Sequence, residues 1–124
     1  MGWSHHDGPY TDANDKDKVK IILEIFERYK NHDTFQENMT IEHVLPDSEA
    51  IENCQIGNLL PLEDYLNQKC DNMPFEEKLH VYQDSNYKTT RDFAKRYLQN
   101  INFNPRKRGE ILANEFYDNI LHFK

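Results

Sequence analysis

The sequence predicts an α+β domain with little sheet. Three observations point there. Several segments carry apolar residues at three- and four-residue steps, the period of a helix with one buried face. Only two short stretches, around Ile41 and Leu59, read as strands, and turn residues bound both. The chain of 124 residues, 12% aromatic, is one domain by length and can bury a real core.

The elements follow in order. Met1 to Asn14 is polar, contains Gly2, Gly8 and Pro9, and shows no periodicity. It reads as a flexible lead to a single domain over residues 15–124, and His5-His6 within it is not read as a metal site. Lys16 to Lys30 is an amphipathic helix with Val19, Ile22, Phe26 and Tyr29 on its apolar stripe. Met39 to Leu45 is a short strand ending at Pro46, which cannot donate to a ladder. Asp47 to Asn53 is polar loop, and Gln55 to Leu60 is a second strand in which Gly57 allows a backbone angle closed to other residues. Leu62 to Lys69 turns helical. Pro74 suits the first turn of a helix carrying Phe75, Leu79 and Tyr82. Thr89 or Thr90 can cap the next, with Phe93, Tyr97 and Ile101 inward. Pro105 opens the last, with Leu112, Phe116 and Ile120 at four-residue spacing.

Composition narrows the function. No run of about 18 apolar residues exists to span a membrane. The N-terminus lacks a basic stretch followed by an apolar one, so no secretory signal is read. Cys54 and Cys70, with no CxxC pair, read as reduced thiols of a cytoplasmic protein, the alternative being a disulfide between them. The net charge of -7 argues against a general nucleic-acid coat protein. The charge is uneven: residues 1–85 hold 7 Lys/Arg against 18 Asp/Glu, whereas residues 86–124 hold 8 against 4. A basic C-terminal third fits a DNA-contacting patch or an ordinary solvated helix surface.

The densest chemistry lies between Thr40 and Lys69. Glu42-His43 precedes Val44-Leu45-Pro46; Asn58 follows fifteen residues after His43 and Asn67 nine after that. A carboxylate, an imidazole and two carboxamides can hold one divalent ion, one general base and one fixed loop, which suffices to hydrolyse a phosphodiester. A cation on the scissile phosphate offsets the charge that repels nucleophiles. Glu42 and Asn67 offer hard oxygen ligands suited to Mg²⁺ or Mn²⁺. His43 would take the proton from the attacking water, its free pKa near 6.5 leaving a large neutral fraction at pH 7. Adjacent strand residues point to opposite sides. His43 and Glu42 therefore share a site only if the strand ends or twists there, as Pro46 suggests.

These residues carry a resemblance. "IEHVLP" followed by "GNLLPLEDYLNQK" resembles the HNH (His-Me finger) endonucleases. The resemblance implies a ββα-metal unit with a short two-stranded sheet, surrounded by several helices. It makes His43 the catalytic base, Asn58 the residue that orders its loop, and Glu42 and Asn67 the metal ligands. More narrowly, "IGNLLPL", "LNQK" and "NMPFEEK", with Tyr82, Ser85, Arg108 and Leu112-Ala113, resemble the C-terminal HNH domains of GmrSD-type restriction enzymes, which act on modified DNA. That resemblance covers roughly Thr40 to Phe116. It implies DNA as partner, a restriction role, and an N-terminal nucleotide-hydrolysing domain in a longer parent protein, since four glycines leave little room here for a phosphate-binding loop. Where many HNH domains bind structural zinc through two CxxC pairs, this chain has Glu63 and Leu66, so no structural zinc is expected.

Candidate DNA contacts are Lys69, beside the proposed metal, Arg91 and Lys95 on one face with Lys88, and Arg106, Lys107 and Arg108 where the last helix begins. Each residue also has a plainer reading: His43 as a satisfied core histidine, Asn58 as a turn residue, Asn67 as a surface amide, the cations as solvated helix surface. Two further functions stay open, an HNH scaffold that binds nucleic acid or protein without turnover, and a purely structural helical module.

Overall fold

The computed structural model describes residues 13–46, 56–99 and 102–121. Of the expected lead over 1–14, residues 1–12 lie outside the described residues, and Ala13 and Asn14 already belong to a helix. The expected polar loop over 47–53, Cys54 and Ile101 also lie outside them. Helix α1 (Ala13–Lys30) buries Val19, Leu23, Phe26 and Glu27. These fall at helical spacing along one stripe. Tyr29, expected on that stripe, lies two positions past Glu27 around the helix and is exposed. The helix ends where His32 and Asp33 take positive φ, a conformation that His and Asp enter more readily than bulky residues.

Two strands, β1 (Met39–His43) and β2 (Leu59–Glu63), form an antiparallel two-stranded sheet. Ile41 lies opposite Pro61 and His43 opposite Leu59. The second strand thus starts later than expected, after a 3₁₀ turn at Ile56–Asn58, and Leu62 belongs to it rather than to the following helix, α2 (Asp64–Cys70). The cause is burial on both faces. An apolar run such as Leu59-Leu60-Pro61-Leu62 has no period of its own, so only packing assigns it. Helices α3 (Phe75–Tyr82), α4 (Lys88–Tyr97) and α5 (Pro105–Glu115) follow, and α5 continues as a π-helical segment, Phe116–Leu121. No helix among the described residues is long and apolar enough to cross a membrane.

Alternation along the strands divides the core in two. Met39 and Leu59 pack with Val19 and Leu23 of α1, with Ile56 and Tyr87. Leu60 and Leu62 pack on the other side with Leu66 and Cys70 of α2, Leu79 and Tyr82 of α3, and Phe93 of α4. Cys70 is a free, buried thiol.

Two joints depart from local expectation. Neither Thr89 nor Thr90 caps α4. The cap residue is Tyr87, without a side-chain bond, and the carboxylate of Glu27 on α1 accepts from Lys88 N at 2.7 Å, Thr89 N at 2.9 Å and Thr89 Oγ1 at 2.9 Å. A distant acid thus satisfies N–H groups that a helix start leaves unpaired. Thr90 Oγ1 instead donates to the Pro61 carbonyl. Gly57 is required by proximity and not by its backbone angle: a Cβ there would lie 1.8 Å from the Pro105 carbonyl oxygen and 2.5 Å from Gly109 N. Helix α5 therefore rests directly on the turn that leads into β2.

Candidate active site

The C-terminal end of β1 is held by side chains from three separate elements. Asn58 binds both backbone groups of Leu45: its Oδ1 accepts from Leu45 N at 2.9 Å and its Nδ2 donates to Leu45 O at 2.8 Å. The Asn58 carbonyl also accepts from Val44 N. Asn67 of α2 donates through Nδ2 to Thr40 Oγ1 at 2.8 Å and to Ile41 O at 3.2 Å. Lys78 of α3 donates through Nζ to His43 O at 2.8 Å and Val44 O at 3.1 Å. His43 and the residues on both sides of it are thus fixed by bonds that no local sequence rule demands. The His43 ring is half-buried and lies opposite Leu59 at the last residue of the strand.

Glu42 points to the α2–α3 side and is 3% exposed. Its Oε2 accepts from the Tyr82 hydroxyl at 2.6 Å and pairs with Lys78 Nζ at 3.0 Å. Lys78 is itself 8% exposed. A buried carboxylate is tolerable only when it is paired and hydrogen-bonded, and this one has both. The same setting shifts its neighbours. Burial first, and then the Glu42 charge and its hydrogen bond, push the Tyr82 hydroxyl far above the usual phenol range, so it stays a donor. Burial, then Glu42, pushes the Cys70 thiol up to about 12.

One oxygen remains open on each proposed ligand. Oε1 of Glu42 and Oδ1 of Asn67 accept no bond from the described residues. Glu42 and Thr40, to which Asn67 bonds, lie two residues apart and so share a face of β1. A carboxylate and a carboxamide with one open oxygen apiece fit the sparse protein ligand set of Mg²⁺. Among the described residues no three His, Cys, Asp or Glu side chains gather into a metal cage. Asn67 bonds to β1 at Thr40 and Ile41, and Thr40 shares a face with Glu42. His43, paired with Leu59 inside the ladder, alternates to the opposite face and is linked to Glu42 through backbone.

The basic residues separate into two kinds. Lys69, Arg91, Lys95, Arg106 and Lys107 are exposed, although Arg91 also donates to Ser85 O. Arg108 is turned inward, against the expectation of a phosphate contact. Its Nη1 donates to Gly57 O at 2.9 Å and Leu59 O at 3.2 Å, and its guanidinium lies 5.0 Å from the centre of the Phe93 ring. Burial lowers its pKa to about 10, which still leaves it charged at neutral pH. Arg108 thus secures the turn that carries Asn58. A cavity of about 250 Å³ between α1, α4 and α5 is lined by Phe26, Phe93, Tyr97 and Leu112, and by none of Glu42, His43, Asn58 or Asn67.

Lys78 was not legible as a site residue. Its signal was position: on α3 it falls three residues after Phe75 and four before Tyr82, so a cation occupies the apolar stripe.

A family model for the C-terminal domain of GmrSD restriction endonucleases matches residues 6–114. No curated protein and no solved structure matches the chain.

Proposed function

Because the chain belongs to the family of GmrSD restriction endonuclease C-terminal domains, we propose that it is a divalent-metal-dependent DNA endonuclease domain of a restriction defence system, with His43 as general base. One observation carries this reading beyond family membership: Asn58, Asn67 and Lys78, from three elements, all bond to the backbone between Ile41 and Leu45. A segment so heavily anchored matches the need to hold a reacting group in a fixed orientation. Glu42 and Asn67 would hold Mg²⁺ or Mn²⁺ through their open oxygens, and the ion would offset charge on the scissile phosphate and the departing oxygen. His43 takes the proton from the attacking water. Asn58 keeps the peptide of Leu45, and with it the imidazole, from rotating away. Lys69, Arg91, Lys95, Arg106 and Lys107 contact phosphates and position the duplex without reading its sequence. The longer parent protein supplies an N-terminal nucleotide-hydrolysing domain.

The test is plasmid nicking across Mg²⁺, Mn²⁺ and Ni²⁺, run beside His43→Ala. The expected result is cleavage by the wild-type domain and a loss of at least about 100-fold in the variant, the usual scale for a general base, with an unchanged far-UV spectrum. Undiminished cleavage by folded His43→Ala removes His43 from the mechanism. A second reading, a binding module without turnover, is favoured by the pairing of Glu42 with Lys78. It expects DNA binding without nicking in any of the three metals.

A further inference from the structure

We propose that Lys78 is the resident cation of the Glu42 pocket, a positioning residue that neutralises Glu42 before a divalent ion binds its second oxygen. The inference rests on the reading of Glu42 as a metal ligand and adds a residue that reading does not contain. Four observations support it. Glu42 and Lys78 are both almost fully buried. Their pairing distance is 3.0 Å. The same ammonium bonds the carbonyls of His43 and Val44, so the group that neutralises the acid also grips the peptide that carries the imidazole. The Tyr82 and Lys78 contacts of Glu42 both fall on Oε2, and Oε1 accepts no hydrogen bond from the described residues.

The physical argument is one of charge. A lone carboxylate in a low-dielectric pocket costs several kcal/mol unless a cation faces it. Lys78 meets that need in the metal-free domain and keeps the Glu42 carboxylate aimed. A divalent ion brought to Oε1 then meets a positive neighbour, which weakens its binding. Lys78 therefore trades metal affinity for a formed, ready site. Tyr82, a neutral donor to Oε2, holds the carboxylate whichever cation is present.

The experiment compares wild type, Lys78→Met, Glu42→Gln and the double variant by thermal melts with and without Mn²⁺, and by calorimetric Mn²⁺ titration. Lys78→Met should melt below wild type without metal. It should bind Mn²⁺ at least about tenfold more tightly, because a like charge near the ion is gone. Glu42→Gln should abolish the Mn²⁺ response in both backgrounds. If Lys78→Met does not fold alone, Mn²⁺ should restore its fold and leave the double variant unaffected; failure to restore it, with the double variant folded, overturns the proposal. Binding to wild type that Glu42→Gln abolishes, with no tighter binding by Lys78→Met, overturns the resident-cation role and leaves Glu42 as a ligand. A response by Lys78→Met alone supports the role and removes metal dependence from the native chain. No response in any form sinks both.

Discussion

Glu27 and Glu42 are buried acids on opposite sides of the same small sheet, held in opposite ways. Glu27, 1% exposed, is surrounded by neutral donors: Lys88 N, Thr89 N, Thr89 Oγ1 and Asn31 Nδ2. Both its oxygens are bonded, and three of the four donors belong to the helix start it caps. Glu42 is held by an ammonium and a phenol on a single oxygen. Backbone N–H groups cannot leave while the helix stands, so Glu27 has one task. An ammonium on a four-carbon stem can move. Burial alone therefore does not tell the two carboxylates apart; the kind of partner does.

The largest expected effect tests the structural acid. Glu27→Ala strands Lys88 N and Thr89 N and should cost about 3 kcal/mol in denaturant melts. The surviving folded fraction should cleave at the wild-type rate. Next, Glu42→Gln should reduce Mg²⁺-dependent nicking by about 100-fold while shifting the melting temperature far less than Glu27→Ala. If the two variants trade these outcomes, the contrast collapses. Asn58→Ala removes two bonds to Leu45 and should cost about 2 kcal/mol, with a smaller loss of cleavage.

Alkali sharpens the comparison further. Cys70 and Tyr82, on the Glu42 side, both have folded pKa values raised above their unfolded ones. On the α1 side burial raises Tyr87 to about 12. A raised value stabilises the fold below the unfolded pKa and ceases to do so as pH climbs through the folded one. For Cys70 that window runs from about 9 to about 12. Stability should fall across it, and Cys70→Ala should flatten that part of the curve. The smallest effect concerns exposed cations: Lys69→Ala or Lys95→Ala should each lower the salt dependence of DNA binding by about one unit of slope and leave both melts unchanged.

The candidate site was nominated from sequence, because Glu42, His43, Asn58 and Asn67 lie in one stretch and each residue type carries its own chemistry. The helices were legible because apolar periodicity survives in the chain, as in Val19 to Phe26 and Phe75 to Tyr82. The start of β2 was not, because Leu59 to Leu62 is apolar throughout. Arg108 read as a candidate DNA contact beside Arg106 and Lys107; only the fold shows that Gly57 and Leu59 present carbonyls to it.

The chain order alone determined the helical periods, the two short strands and the set of groups proposed to act on a phosphodiester, since all of these are properties of neighbours in sequence. Tertiary structure decided which acid faces which donor. Lys78 meets the His43 carbonyl across 35 positions and Lys88 meets Glu27 across 61. Such pairs exist only after packing excludes water, because desolvation makes an unpartnered charge too costly to keep.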